Sequence, residues 1–245
     1  MKGHGSIRVA YDERSGRSSL SSAASEPPFG IRSCAGRILI AASAAAPVGG
    51  DELSLDVAVD DGACADVGTV ASTVVLPGPT GEPSTMSTRC RVGRDAHLDW
   101  IGEPTVSVVG STHTVTTAVT LDASATCRIV EEVSLGRTRE DSGLLRLVLR
   151  VERDGRPLVH HDESFGPRVR GAGSSVSVGA ARHVLSAILV GVGAGPARSF
   201  VCDSVRVAWL PVSDDAAVVF AVGTDRPGVV DAVSRLAPEL TARRD

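Results

Sequence analysis

The sequence contains few aromatic side chains and almost no lysine. Aromatic residues make up 3% of the 245 positions, so the interior must be built from aliphatic side chains. Lys2 is the only lysine, and it lacks the neighbouring serine or threonine of a phosphate-binding P-loop. Gly191, Gly193 and Gly195 lack the spacing of a dinucleotide-binding fingerprint. These absences exclude the common nucleotide-binding classes.

Catalytic and disulfide signatures are also missing. The chain has neither the G-x-S-x-G motif of serine hydrolases nor the H-E-x-x-H motif of zinc hydrolases. The cysteines are odd in number, widely spaced and never arranged as C-x-x-C, so neither a disulfide framework nor a zinc framework is expected. They are Cys34, Cys64, Cys90, Cys127 and Cys202. An enzyme built on this chain would therefore need an unusual site.

The charges do not favour a nucleic-acid or membrane partner. The net charge is −4, and positive and negative side chains alternate along the chain. No apolar run approaches the roughly 20 residues that cross a bilayer, and the N-terminal segment lacks the apolar core of a signal peptide. We expect a cytoplasmic protein.

Alternating, valine-rich segments predict a mainly β fold. Residues 53–59 alternate between apolar and polar, and Asp61 and Gly62 supply a turn before the apolar stretch 63–67, so this region is interpreted as a β-hairpin. Residues 145–155 show the same pattern of strand and turn. Further strands are predicted at 106–109, 115–121, 126–135, 201–210 and 216–222.

One helix is predicted near the C-terminus. Residues 229–237 place apolar side chains on one helical face, Pro227 suits the first turn, and Asp225 lies near the positive end of the helix dipole. Residues 180–192 begin with helical spacing and end in β-branched residues and glycines, so that segment stays undecided.

The predicted loops are too short to link domains. They cover residues 77–83 and 168–177, which are rich in glycine, proline and serine. Composition does not change along the chain, so a single domain over residues 1–245 is expected.

The densest group of potential metal ligands occupies positions 160–163, where two histidines precede an aspartate and a glutamate. Imidazole and carboxylate together suit nickel or zinc. Adjacent strand residues face opposite ways, so His160 and His161 reach one ion only if the backbone turns there. A solvated strand end is the simpler interpretation, and a β-rich metal-dependent hydrolase using this pair is the alternative. His97 and His113 are isolated and are interpreted as structural.

Several carboxylates lie beside apolar or turn residues and are candidates for buried positions. Burying a carboxylate is costly unless it is paired or hydrogen-bonded, so such groups cap turns, pair with arginine or line water. For Asp51 a turn cap and a functional role are equally supported, and for Glu140 an ion pair with Arg137 or Arg139 is favoured. The candidates are Asp51, Asp66, Glu103, Glu131 and Glu140.

Short motifs follow one another in a fixed order along nearly the whole chain, and this order resembles the UreD family of urease accessory proteins, called UreH in some organisms. The chain is most similar to the shorter, arginine-rich actinobacterial versions. The motifs are the strand 5–9 with Gly16 and Pro28, the turn 48–51, the strand 62–69, the stretch 98–106 with Glu103 and Pro104, then Glu131, Gly136, Arg137, Glu140, Gly143 and 154–158.

The resemblance implies a single β-rich, β-helix-like domain with about two α-helices, one of them near the C-terminus, and no catalytic activity. It further implies binding to the urease apoprotein, together with a UreF-type protein and a UreG-type GTPase, and delivery of nickel that is held only transiently. An internal tunnel would carry the nickel.

Matching the family motifs residue by residue gives the candidate site. Asp51, Thr69, Glu103 and Glu131 are the candidate tunnel-lining positions. The G-R-x-x-E motif assigns Arg137 and Glu140 to a structural ion pair or to the partner surface. A plain β-rich binding module, without an internal polar passage, is a further alternative.

Overall fold

Most of the chain is β-strand, as the alternating segments predict. The structure is a computed structural model that describes residues 1–174, 177–202 and 204–240. Its first nine strands are β1 (Lys2–Asp12), β2 (Arg17–Ser25), β3 (Phe29–Cys34), β4 (Arg37–Ala42), β5 (Glu52–Val59), β6 (Cys64–Thr69), β7 (Thr73–Val75), β8 (Ser84–Val92) and β9 (His97–Ile101). The next nine are β10 (Thr105–Ser107), β11 (Thr112–Leu121), β12 (Thr126–Leu135), β13 (Leu144–Arg153), β14 (Arg156–Phe165), β15 (His183–Val190), β16 (Arg198–Cys202), β17 (Val205–Ser213) and β18 (Ala216–Gly223).

The strands form two sheets whose inner faces pack against each other. The seven-stranded sheet has the order β14-β13-β11-β8-β5-β1-β2. Within it, the neighbouring strands β13, β11, β8, β5 and β1 are parallel to one another. In the eleven-stranded sheet, β4, β6, β9 and β12 are parallel neighbours, and β15, β18, β17 and β16 extend it antiparallel. The chain passes from one sheet to the other between successive parallel strands, which gives the stacked coils of a β-helix and confirms that expectation.

The predicted hairpin at residues 53–67 is wrong. β5 and β6 belong to different sheets, and β5 pairs in parallel with β1 and β8 instead. Asp61 and Gly62 turn the chain from one sheet into the other. A strand with one buried face shows the same alternation in a hairpin and in a β-helix coil, so the local pattern does not distinguish them. The hairpin at 145–155 is confirmed, because β13 and β14 pair antiparallel on either side of Asp154 and Gly155.

Two apolar cores lie on the two sides of the eleven-stranded sheet. The larger one fills the space between the sheets and is mostly aliphatic, with Leu55, Leu98 and Leu149 among its fully buried members. The smaller one lies on the outer face under the C-terminal helix, around Trp209 and Val229. β15 lies between these cores, and all its residues are buried. A strand covered on both faces has a continuous apolar run, which explains why residues 180–192 showed no clear period.

The C-terminal helix is confirmed as α1 (Arg226–Leu236). Asp225 caps it by accepting a hydrogen bond from the Gly228 N–H at 2.9 Å, and Pro227 lies in its first turn. The other helical element in the described part is a short 3-10 turn at Pro238–Leu240. None of the described helices is long and apolar enough to cross a membrane.

Three smaller predictions have mixed outcomes. Residues 77–83 form a loop as expected, and the described part of 168–177 consists of turns. The apolar stretch 201–210 is divided between two antiparallel strands, β16 and β17, and is not one strand.

Candidate functional site

A cavity of about 360 Å³ lies between the two sheets. Three of the four residues that the family motifs suggested for a tunnel line it together: Thr69, Glu103 and Glu131. They come from the end of β6, from the loop after β9 and from the middle of β12. Other lining residues include Leu53, Met86, Thr88, Trp100, His113 and Val115. The cavity is therefore largely apolar, with a small set of polar groups.

Glu131 is the most enclosed acidic group of the cavity. Its Oε1 accepts hydrogen bonds from Thr117 Oγ1 at 2.7 Å and from Trp100 Nε1 at 3.1 Å. Thr117 belongs to the seven-stranded sheet, so this contact joins the two sheets. Burial raises the pKa of Glu131, and the two hydrogen bonds oppose that rise only in part.

Glu103 lies at the open side of the cavity. Thr69 Oγ1 accepts a hydrogen bond from the Glu103 N–H at 2.8 Å, which fixes the loop after β9. The Glu103 carboxylate is exposed and lies 3.4 Å from Arg226 Nη2, at the start of α1. Val70 and Val74 are exposed beside it, with 59% and 39% of their surface accessible. The open side thus combines one carboxylate with apolar side chains.

His113 is a cavity residue that sequence reasoning assigned to structure alone. Its Nδ1 lies 2.8 Å from Ser84 Oγ, and burial lowers its pKa to about 4. The imidazole is therefore neutral near pH 7 and able to act as a ligand. The alternation along β11 puts His113, Val115 and Thr117 on one face, and that pattern was the available signal.

Asp51 lies outside the cavity lining, at the turn that leads into β5. Its Oδ2 accepts a hydrogen bond from the Val48 N–H at 2.8 Å, and its Oδ1 contacts the Met1 ammonium. Burial favours a higher pKa for Asp51, but these hydrogen bonds outweigh burial and leave the pKa below its ordinary value. A Cβ on Gly49 would overlap the backbone of Gly78, so this turn is tightly packed. The geometry is that of a turn cap.

Arg137 and Glu140 form a bidentate ion pair away from the cavity. Arg137 Nε and Nη2 each donate to the Glu140 carboxylate at 2.8 Å. These hydrogen bonds lower the pKa of Glu140. Arg182 Nη2 also donates to the Glu140 carbonyl oxygen. The pair therefore stabilises the loop between β12 and β13.

His160 and His161 face opposite sides of β14, as strand alternation requires. His160 is exposed, and its Nε2 lies 3.3 Å from Arg150 Nε. The ring of His161 lies 5.7 Å from the ring of Phe220 in the facing sheet. The two imidazoles therefore cannot bind one ion. No cluster of three His, Cys, Asp or Glu side chains arranged to hold a metal occurs among the described residues.

Two buried ionic groups on the outer face of the eleven-stranded sheet hold the C-terminal segment. In the first, Asp99 binds Arg128, whose Nη1 also donates to the carbonyl oxygens of Glu239 and Leu240. In the second, Glu132 accepts from Arg226 Nε at 2.7 Å and contacts His183. Sequence reasoning missed both groups because their partners are far apart in the chain.

The fold and the site define a β-helical protein with a mostly apolar internal cavity. Comparison with known proteins places it among the urease accessory proteins. A model of the UreD urease accessory protein family matches residues 3–243, and the chain belongs to the UreD family.

Three relatives illustrate the similarity. The UreD protein of a Parafrankia species is 35% identical over 231 residues, which cover 84% of this chain and 77% of that protein. UreD 3 of Streptomyces griseus is 33% identical over 232 residues and 89% of both chains. UreD of Frankia casuarinae is 37% identical over 167 residues, 63% of this chain and 52% of its own length.

Proposed function

We propose that this chain conducts nickel to the urease apoprotein through the cavity between its sheets. It does so in a complex with a UreF-type protein, which links it to a UreG-type GTPase, and it has no catalytic activity of its own. The observation that carries this proposal is the meeting of Thr69, Glu103 and Glu131, from three separate segments, in one cavity. The UreD family membership supports the part of the proposal that concerns urease.

The chemistry of the lining suits a cation in transit. A conducting site must bind well enough to admit an ion and weakly enough to release it. Glu131, Glu103 and the neutral imidazole of His113 offer oxygen and nitrogen ligands of the kind that nickel accepts, together with the hydroxyls of Thr69 and Thr88. Nickel is therefore a passing cargo and not a resident cofactor.

The open side of the cavity suits a protein partner. Val70 and Val74 are exposed there beside Glu103, and a docked protein would cover them. We assign this side to the UreF-type partner, which would align its own surface with the entrance. We further propose that the chain acts in the cytoplasm together with these partners.

The test is co-purification of this chain with the UreF-type protein and the urease apoprotein, followed by nickel-dependent urease activation. Glu103→Gln and Glu131→Gln remove the two carboxyl groups of the cavity, and Glu152→Gln is the matched control because Glu152 is exposed on β13. We expect all variants to form the complex and only the two cavity variants to slow activation. Activation unchanged in both cavity variants would refute the nickel route, and absence of the complex would favour the plain binding module.

A further inference from the structure

His161 and Glu163 place polar side chains on the inner face of β14, at the edge of the seven-stranded sheet. His161 lies opposite Leu149 of β13, whose side chain belongs to the core between the sheets. Its ring also lies near that of Phe220, which packs against the same core from the facing sheet. Glu163 is two residues further along the strand and therefore shares this face.

The facing atoms of this pair have the separation of two ligands of one ion. His161 Nε2 and Glu163 Oε2 are 3.2 Å apart. Both atoms are shielded from solvent, and apart from this contact with each other neither has a hydrogen-bond partner among the described residues. Metal–ligand bonds of about 2.0 to 2.2 Å put neighbouring ligand atoms about 3.0 to 3.4 Å apart. Buried polar atoms without partners are uncommon in folded proteins and are often satisfied by a water or an ion.

Ser186 lies on the inner face of the eleven-stranded sheet, between Glu131 and Phe220. It is fully buried, and its Oγ has no hydrogen-bond partner in the described part of the chain. On β15 it lies opposite Glu131 on one side and opposite Phe220 on the other. Because neighbouring strands are about 4.8 Å apart, the Ser186 backbone lies about 5 Å from that of each neighbour. The Ser186 backbone is thus midway across a span of about 10 Å from Glu131 to Phe220, and the Phe220 ring neighbours His161.

We propose that His161 and Glu163 form a transient binding site for a divalent cation of the nickel type, about two strand spacings from Glu131 with Ser186 between them. This inference rests on the proposed nickel route and adds a second ion-binding site to it. The side chains of His161 and Glu163 keep 24% and 30% of their surface exposed, so the pair lies near the protein surface although its two facing atoms are shielded. Two protein ligands plus water bind weakly enough for release.

The first test uses variants that keep the packing of β14. His161→Phe preserves the contact with Phe220 and removes the ring nitrogens, and Glu163→Gln preserves the shape of the carboxylate. His160→Phe is the matched control, because His160 is the adjacent histidine on the outer face. In assembled complexes we expect the His161→Phe/Glu163→Gln double variant to activate urease at least about tenfold more slowly at limiting nickel. The control should retain the wild-type rate.

Glu131→Gln separates failure of this inference from failure of the proposed function. A slow Glu131→Gln variant beside a normal double variant would overturn the site at His161 and Glu163 and leave the cavity route standing. Normal activation in both Glu131→Gln and the double variant would overturn the proposed nickel route and the site at His161 and Glu163 together.

A second measurement does not depend on urease. Titrating Ni²⁺ into the full chain labelled at histidine should broaden the NMR signals of the His161 ring before those of His160, because the ion lies on the inner face. Equal broadening of both rings would show adventitious surface binding only and would overturn the proposal. The Glu163→Gln variant should weaken the selective broadening at His161.

Discussion

Asp99→Ala is expected to lower the free energy of unfolding by about 3 to 5 kcal/mol, the cost of removing one partner from a buried ion pair. Asp99 Oδ2 accepts from Arg128 Nη2 at 2.7 Å, and Oδ1 accepts from Arg128 Nε at 2.9 Å. Oδ1 also lies 2.9 Å from His97 Nε2. The Asp99 and Arg128 side chains are 9% and 11% exposed, so little solvent replaces the lost contacts.

The magnitude follows from what Arg128 keeps after the substitution. Hydrogen bonds to charged groups contribute about 1.5 to 3 kcal/mol each, and the variant loses the two from the guanidinium. Arg128 still donates to the carbonyl oxygens of Glu239 and Leu240, which limits the cost of leaving its charge buried. With a urea dependence of about 3 kcal/mol per molar, the unfolding midpoint should fall by roughly 1 to 1.7 M.

The assay is urea unfolding at pH 7, followed by tryptophan fluorescence and circular dichroism. The matched control is Asp66→Ala, because Asp66 lies opposite Asp99 on the neighbouring strand but forms a more exposed ion pair with Arg37. An exposed pair contributes about 1 kcal/mol or less. If Asp99→Ala lowers the urea midpoint no more than Asp66→Ala does, the buried ion pair between Asp99 and Arg128 does not stabilise the protein, and this prediction is refuted.

The pH dependence of this effect has a definite sign. Burial favours a higher pKa for Asp99, but the hydrogen bonds from His97 and Arg128 outweigh it and hold the pKa below the ordinary value of 3.8. The folded state therefore binds its proton less readily than the unfolded state does. The stabilisation by the Asp99 carboxylate is complete at pH values above the ordinary pKa of 3.8, and it is lost as the pH falls below that value. The difference between the wild type and Asp99→Ala should shrink in that acidic range.

Three further predictions concern the cavity wall, the C-terminal helix and a turn. Burial lowers the pKa of His113 from 6.5 to about 4, so the free energy of unfolding should fall by about 3 kcal/mol as the pH falls from 6.5 to 4. In urea titrations, His113→Gln should remove that part of the pH dependence. Asp225→Ala removes the cap on the Gly228 N–H and should cost about 1 kcal/mol in thermal or urea unfolding; Asp225→Asn, which retains an acceptor, should cost less. Gly49→Ala would place a Cβ against the Gly78 backbone and should cost about 1 to 3 kcal/mol, so an unchanged urea midpoint would contradict the tight turn.

The sequence allowed the strands and the C-terminal helix to be predicted because their signals are local. The alternation at 145–155 and the cap at Asp225 act within a few residues. The pairing of residues 53–67 was not predictable from the local pattern. A hairpin and a β-helix coil that passes from one sheet to the other have the same alternation and can have the same Asp-Gly turn. The neighbours of β5 are set by pairing with β1 and β8, which are distant in sequence.

The candidate site was predicted only in part for the same reason. Family motifs led to Thr69, Glu103 and Glu131, and the cavity contains all three. His113 was interpreted as structural because its one signal, the alternation along β11, indicates a buried face and does not indicate a cavity. The interior position of Ser186 depends on its register with Glu131 across two antiparallel strands, which no local pattern specifies.

The most direct test of the nickel route is the initial rate of urease activation, measured as nickel is titrated, in complexes containing wild type or Glu131→Gln. Glutamine keeps an oxygen acceptor for Trp100 and Thr117 and removes a buried carboxyl group, so the fold should be retained and the complex should form. The account predicts an activation rate at least about tenfold lower at limiting nickel, with unchanged unfolding free energy or a small increase. An activation rate equal to that of the wild type at every nickel concentration would contradict the claim that nickel passes through this cavity.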